Sequence, residues 1–227
     1  MKLHSRLFGL AFFLAASQLA AGQGTLIAQH SGSANPTAEG FSLSGFGTPQ
    51  CGPVANDQGL NAWSTVVSNS SAQYGEFLGS LTGQDWLLTV TLRVVTTNLG
   101  VGAFDVVINT GSSFFGLGFG SDAYGNQTTY GITNGGGSIY NTYELLYNST
   151  SDTASLWING VEQRSAIQGQ YSSGQASLGW GGGSQGPASF QCNWNLVSLQ
   201  ITPEPSSAAV LLLGSGVSFY FRRKFFR

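Results

Sequence analysis

The chain has 227 residues and a net charge of −2, with only 8% charged residues against 41% hydrophobic ones. Six of the eight basic residues sit at the two ends; the middle keeps Arg93 and Arg164 against nine carboxylates, a net of −7. An acidic centre without Lys or His clusters excludes nucleic acid and anionic lipid as its ligands.

Residues 1–22 read as a secretory signal peptide. Met1 to Arg6 is a short positive region, Leu7 to Ala16 is an apolar core of signal length, and small residues follow. Cleavage before Gln23 places Ala20 and Gly22 at the −3 and −1 positions.

Residues 23–201 are long enough for one domain with a sizeable core, and no stretch of them keeps a helical period. Short alternating segments recur between Gly, Asn and Ser clusters, which predicts an all-β sandwich of two antiparallel sheets. In Trp86 to Val95 the apolar Trp86, Leu88, Val90, Leu92 and Val94 alternate with Thr89, Thr91 and Arg93, giving one packed face and one wet face. Ala103–Ile108 and Phe114–Phe119 are expected to form a hairpin across Asn109, Thr110 and Gly111. Gly116, Gly118 and Gly120 strip one face of side chains, read as close packing or bending in preference to a face open to a ligand. Tyr143–Tyr147 and Thr153–Ile158 flank a loop at Asn148–Asp152, and Asn159-Gly160 then marks a tight hairpin. The final strand, Phe190–Ile201, is expected to show Cys192, Trp194 and Leu196 on one side and Val197, Leu199 and Ile201 on the other. The even cysteine count in an exported segment predicts a Cys51–Cys192 disulfide; a thiol catalyst lacks a partner, since His30 is the only histidine of this part.

The run from Tyr143 to Gly160, a strand, a turn and a second strand ending in Asn-Gly, resembles the hairpin pair of laminin-G-like and concanavalin-A-like jelly rolls. The segment Ala28–Phe41 is similar to the opening strands of such sandwiches. The resemblance implies a jelly roll whose first and last strands are neighbours, which suits the cysteine bridge. It also implies glycan binding, often with calcium, glycan hydrolysis, or a supporting role in assembly, and a fold alone does not choose among these.

The residues argue against catalysis. Glycosidases of this fold need two facing carboxylates, two or four apart on a strand, and the nine acids are scattered singly, with Glu39 and Asp57 able to meet only through tertiary contacts. No Gly-x-Ser-x-Gly elbow, zinc spacing, phosphate loop or dinucleotide fingerprint is present, and His30 is expected at the surface or a strand end. Asp122 and Asp152 lie among loop oxygens and are the candidate calcium ligands, against ordinary turn chemistry. No other cofactor is implied. For glycan binding, Trp63, Tyr124 and Trp180 are the candidate stacking platform, with Tyr130 and Tyr140 also near Gly/Asn-rich loops.

Residues 202–227 fall into three parts: a stiff hinge at 202–205, an apolar span at 206–221 and a basic end at 222–227. The span is apolar on all faces and rises roughly 24 Å as a helix, which with snorkelling arginines reads as a transmembrane helix. Arg222, Arg223 and Arg227 place the C-terminus in the cytoplasm. The Pro203-Glu204-Pro205 triplet, single span and Arg-rich end closely resemble the PEP-CTERM sorting signal. That resemblance implies an exosortase as partner, inner-membrane anchoring, then transfer to the cell surface or an extracellular matrix, often with exopolysaccharide. The expectation is a sorted, non-enzymatic surface protein, structural or carbohydrate-binding; the alternative is a glycan-cleaving enzyme of the same fold.

Overall fold

The strict alternation in Trp86–Val94 becomes one of the central strands of a two-sheet sandwich, with every second side chain buried. The computed structural model describes residues 24–96, 103–119, 122–125, 128–133 and 139–202, with side chains placed everywhere except 122–133. The expected signal peptide and the sorting tail from Pro203 onward lie outside the described residues. Among the described residues no helix is long and apolar enough to cross a membrane.

Strand β1 (Thr25–Ser31) leads through a 3-10 turn at Pro36–Glu39 into β2 (Ser42–Ser44), β3 (Gln50–Asp57), β4 (Leu60–Val67) and β5 (Ser70–Phe77). There follow β6 (Trp86–Val94), β7 (Phe104–Asn109), β8 (Ser113–Phe119), β9 (Asp122–Gly125) and β10 (Thr128–Thr133). The last are β11 (Asn141–Asn148), β12 (Thr153–Ile158), β13 (Val161–Gln168), β14 (Gln170–Tyr171), β15 (Ser177–Ser184) and β16 (Phe190–Ile201). The first sheet runs β13-β12-β11-β6-β16-β4-β3 with β1 beside β16, so the first and last strands are neighbours as expected. The second runs β10-β9-β8-β7-β15-β5-β2, with β14 beside β8.

Turn chemistry sets the hairpins. Asn159 and Gly160 both have positive φ, 50° and 77°, the pattern that matches the twist of a two-residue turn, and β12 pairs with β13 across them. β7 and β8 close across Thr110–Ser112, where the Thr110 N–H donates to the Ser113 carbonyl at 2.9 Å. The Asn148–Asp152 loop joins β11 to β12 as the sequence predicts.

Between the sheets lies an aromatic core centred on Trp180, which has no solvent exposure. Its ring stacks on Tyr74 at 4.6 Å and His30 at 4.8 Å, meets Trp194 at 5.1 Å and takes the edge of Phe41 at 5.8 Å. Trp86, Phe115 and Tyr147 form a second aromatic group, and Phe119 packs against Tyr143.

Three expectations are corrected. The phase of β16 breaks at Asn195, where a bulge shifts the register between Trp194 and Leu196. One inserted residue flips every later side chain, so Val197 and Leu199 join Cys192 and Trp194 in the core while Leu196 is only half-buried. His30 is one residue from the end of β1 yet fully buried, not at the surface. The outward face of β6 is half-buried, and Arg93 lies largely out of water.

The predicted disulfide is absent: Cys51 and Cys192 are free. Both thiols belong to one cross-strand row, but Thr65 stands between them, since Cys51 pairs with Thr65 on β4 and Thr65 pairs with Cys192 on β16. Two strand spacings put their Cα atoms about 10 Å apart, beyond the roughly 7 Å reach of a disulfide. The sequence reading missed this because Cys51 lies on β3, one strand removed from β16. Burial pushes both thiols up, Cys192 well above its ordinary value. The purified chain is therefore expected to run identically on reducing and non-reducing gels and to titrate two thiols after denaturation; a midpoint lowered by dithiothreitol contradicts this arrangement.

Candidate functional site

The outward faces of the two sheets differ in how their polar groups are used. On the first sheet, Ser64 of β4, Asn193 of β16 and Arg93 of β6 share one cross-strand row. Asp57, at the end of β3, closes over them. Its carboxylate accepts from Arg93 Nη2 at 2.6 Å and Nε at 3.1 Å, from Asn193 Nδ2 at 2.7 Å and from the Tyr140 hydroxyl at 2.8 Å. Gln191 Nε2 adds donations to Ser64 Oγ at 3.1 Å and Asn193 Oδ1 at 3.2 Å. Burial alone would raise the Asp57 pKa, but Asn193, Tyr140 and Arg93 outweigh it and hold the carboxyl below its usual range. Such a carboxylate is saturated with donors. It ties the β3–β4 hairpin to the sheet and leaves little for a ligand.

The second sheet is different. Register places Gly75 of β5, Gly179 of β15, Val107 of β7 and Gly116 of β8 in one outward row. The next row holds Gln73, Gly181, Asp105 and Gly118. Glycines of β5, β15 and β8 thus leave much of this floor without side chains, with Gly181 and Gly118 themselves buried and Gln73, Val107 and Asp105 the side chains that stand on it.

Steric need does not explain the first of these rows. A Cβ on Gly75 would find only the Leu178 carbonyl at 3.9 Å, and one on Gly179 only the Tyr74 carbonyl at 3.8 Å, both ordinary contacts. On Gly116 the nearest atom would be Cε1 of the Phe114 ring at 3.4 Å. Gly181 is the opposite case: at φ +148° its Cβ would fall on the Ala72 carbonyl oxygen, so packing itself requires glycine there. Glycine within a strand is destabilising by about 0.5–1 kcal/mol relative to alanine. At Gly75 and Gly179 that cost has no steric return, and at Gly116 the Phe114 ring is the one close neighbour.

Asp105 stands on this floor. Its hydrogen bond comes from Gln73 Nε2 at 3.3 Å, reaching across β15 where Gly181 has no side chain to intervene. Burial raises the Asp105 pKa, and the Gln73 bond offsets this only in part. Along the row of Phe77, Ser177, Asn109 and Phe114, the floor ends in aromatic side chains. Phe77 is 76% exposed, which is unusual for so large an apolar group.

The residues singled out from sequence fall mostly elsewhere. Trp63 is buried and donates from Nε1 to the Tyr74 hydroxyl at 2.9 Å, and Trp180 is the centre of the core, so neither is a stacking platform. Tyr124 lies opposite Gly118 on β9, with its side chain outside the described set. Tyr140 belongs to the Asp57 network. Of the calcium candidates, Asp122 opens strand β9, with its side chain outside the described set. Asp152 accepts the Tyr147 hydroxyl at 2.8 Å, while the loop's Asn148 Oδ1 accepts from the Ser151 N–H at 2.9 Å, which is turn chemistry. Among the described residues no group of three or more His, Cys, Asp or Glu could hold a metal ion.

The two acids thought able to meet do not share a site. Glu39 takes the His30 Nδ1–H at 2.6 Å and the Ser31 N–H at 3.1 Å, and shares no partner with Asp57. Burial lowers the His30 pKa against the opposing pull of Glu39, and the imidazole serves as a packed stacking partner of Trp180. Sequence reading saw the glycine alternation at 116–120 but took it for close packing or bending, and it missed Asp105 and the matching glycines of β5 and β15. The available signal was the coincidence of glycine alternation in two separate segments, 116–118 and 179–181, with a lone acid in an apolar strand.

No protein-family model matches the chain, and no curated protein matches it. Solved structures do. A carbohydrate esterase from Shiga toxin-encoding bacteriophage phi24B aligns with a TM-score of 0.56 and 11% identity, over 80% of this chain and 100% of that one. Domain 4 of AbnA, an extracellular arabinanase from Geobacillus stearothermophilus determined with arabinotriose, aligns at 0.52 and 15% identity, over 83% and 98%. A sialidase aligns at 0.54 and 6% identity, over 79% of this chain but only 19% of the sialidase. At such identities the likeness is one of fold: an antiparallel two-sheet sandwich of the concanavalin-A-like kind.

The electrostatics of the floor give a stability test. A folded-state pKa raised above the unfolded value means the fold binds the proton more tightly, so Asp105 destabilises the fold at neutral pH and less so as pH falls through its titration. Asp105→Asn is expected to raise unfolding stability at pH 7.5, with the gain shrinking toward pH 4. Chemical denaturation at both pH values checks this, and a variant less stable than wild type at pH 7.5 contradicts it.

Proposed function

We propose that this chain is an exported, exosortase-sorted surface or matrix protein whose β-sandwich binds carbohydrate without cleaving it. The observation that supports the binding role is the glycine row on the second sheet, which forgoes strand stability where no steric constraint asks for glycine. A bare floor lets a flat, hydroxyl-rich ligand approach the backbone closely. The opposite sheet's carboxylate, by contrast, is consumed by its own network. The described carboxylates Asp57 and Glu39 sit in separate, internally bonded settings, which favours binding over acid–base hydrolysis.

The sorting role rests on the tail. The Pro203-Glu204-Pro205 hinge, the apolar span at 206–221 and Arg222, Arg223 and Arg227 support recognition by an exosortase, with the cytoplasmic end removed after export. The acidic, charge-poor middle of the chain suits a neutral matrix better than nucleic acid or an anionic lipid surface.

Gly179→Val is expected to fold normally, with an unchanged or higher melting temperature, and to lose retardation in affinity gels that hold a polysaccharide bound by wild type. Retardation equal to wild type would remove the glycine floor from the account. Replacing Pro203-Glu204-Pro205 by alanines is expected to trap the protein in the inner membrane of its host; unchanged release overturns the sorting role.

A further inference from the structure

The second sheet's outward face also limits which carbohydrate it accepts. Between residues 23 and 201 the only Lys or Arg side chains are Arg93 and Arg164, both in the first sheet, on β6 and β13, and the one histidine, His30, is buried in the core. The glycine-floored face therefore has no cation of its own, while Asp105 contributes a carboxylate. An anionic glycan meets repulsion there with nothing to pair it, and a desolvated carboxylate instead accepts hydroxyl hydrogen bonds.

Geometry adds a direction. Phe77, Ser177, Asn109 and Phe114 follow one another across β5, β15, β7 and β8 in a single register row. Three strand spacings separate the two phenylalanines by about 14 Å, more than one sugar ring and suited to a short oligosaccharide segment. Phe77 projects into solvent at one end, and the Phe114 ring lies along Gly116 at the other. Between them stand the Ser177 hydroxyl and the Asn109 amide. The Asn109 Oδ1 already accepts the Gly111 N–H at 2.8 Å, which turns its NH2 group toward donation. Apolar ring faces at the ends with neutral donors between them match the alternating apolar faces and hydroxyl edges of a sugar chain.

We infer that this face takes an uncharged oligosaccharide segment laid across the strands from Phe77 to Phe114, with Ser177 and Asn109 beneath it and Asp105 accepting hydroxyls beside it. The inference rests on the carbohydrate-binding reading above and narrows it to a ligand class and an orientation. Phe77 and Phe114 supply the stacking surfaces that the sequence assigned to tryptophans now found in the core.

The test is affinity electrophoresis of the purified full chain in gels containing neutral polymers (arabinan, xylan, mixed-linkage glucan) or anionic ones (alginate, hyaluronan). Wild type is expected to be retarded by at least one neutral polymer and by neither anionic one. Phe77→Ala and Phe114→Ala are each expected to weaken that retardation about tenfold, roughly 1.4 kcal/mol. Leu146→Ala, exposed on the first sheet, serves as the control and is expected to leave it unchanged. Because Phe77 is largely exposed, its truncation leaves the core intact, and circular dichroism confirms that separately. Equal retardation by anionic polymers, or a Phe77→Ala variant that binds the neutral polymer as well as wild type, overturns the ligand class or the orientation while leaving carbohydrate binding standing. Retardation of wild type by no polymer at all removes the carbohydrate reading itself, and the inference with it.

Discussion

The sandwich depends on how Trp180 is housed. Its indole touches β1 through His30, β5 through Tyr74 and β16 through Trp194, so side chains from both sheets converge on one buried ring. Aromatic contacts of this kind contribute about 0.5–1.5 kcal/mol each beyond simple burial, and the surrounding apolar area adds more. The strand that carries Trp180 is otherwise mostly glycine between Leu178 and Ser184. One tryptophan thus fills the interior while its neighbours in sequence leave the exterior empty. Gly182 shows the coupling, since a Cβ there would collide with the Phe104 ring, so beyond Leu178 and Trp180 the inner side of β15 has no room for a further side chain at that position.

This division makes the two outward faces chemically unlike. The first sheet resolves its buried polar groups internally: Asp57 gathers Arg93, Tyr140 and Asn193, and the Arg93 guanidinium also lies 6.0 Å from the Tyr140 ring centroid. Breaking such a partly buried ion pair leaves a charge without compensation, so the network is a clasp. The second sheet keeps an under-bonded carboxylate on a floor of backbone. A face that retains unspent hydrogen-bonding capacity and a glycine row without steric cause is suited to an external partner.

Much of this architecture was legible in the chain. Trp86–Val94 alternates but for Leu87 and is a strand in which every second residue is buried, and Asn159-Gly160 makes the turn that its two permissive residues predict. What escaped was tertiary. The bulge at Asn195 shifts the phase of β16, and no local signal distinguishes an inserted residue from an ordinary one. Cys51 and Cys192 share a row, but pairing depends on whether a third strand lies between them, which only topology decides. Trp63 and Trp180 have the composition of exposed platforms because their neighbours are small and polar, yet each turns inward. Asp105 looked like one scattered acid among nine; it acquires meaning only beside Gly181 and Gly118, which lie far from one another in sequence.

We propose the glycine-floored face of the second sheet as the working surface of this domain. Backbone amide shifts of the isotopically labelled chain, followed by NMR while a neutral oligosaccharide is added, test it most directly. The perturbed amides are expected to cluster at Gly75, Gly179, Gly116, Asp105 and Asn109, with the row of Ser64, Asn193 and Arg93 undisturbed. Perturbations confined to the first sheet, or to the Asn148–Asp152 loop, would contradict it.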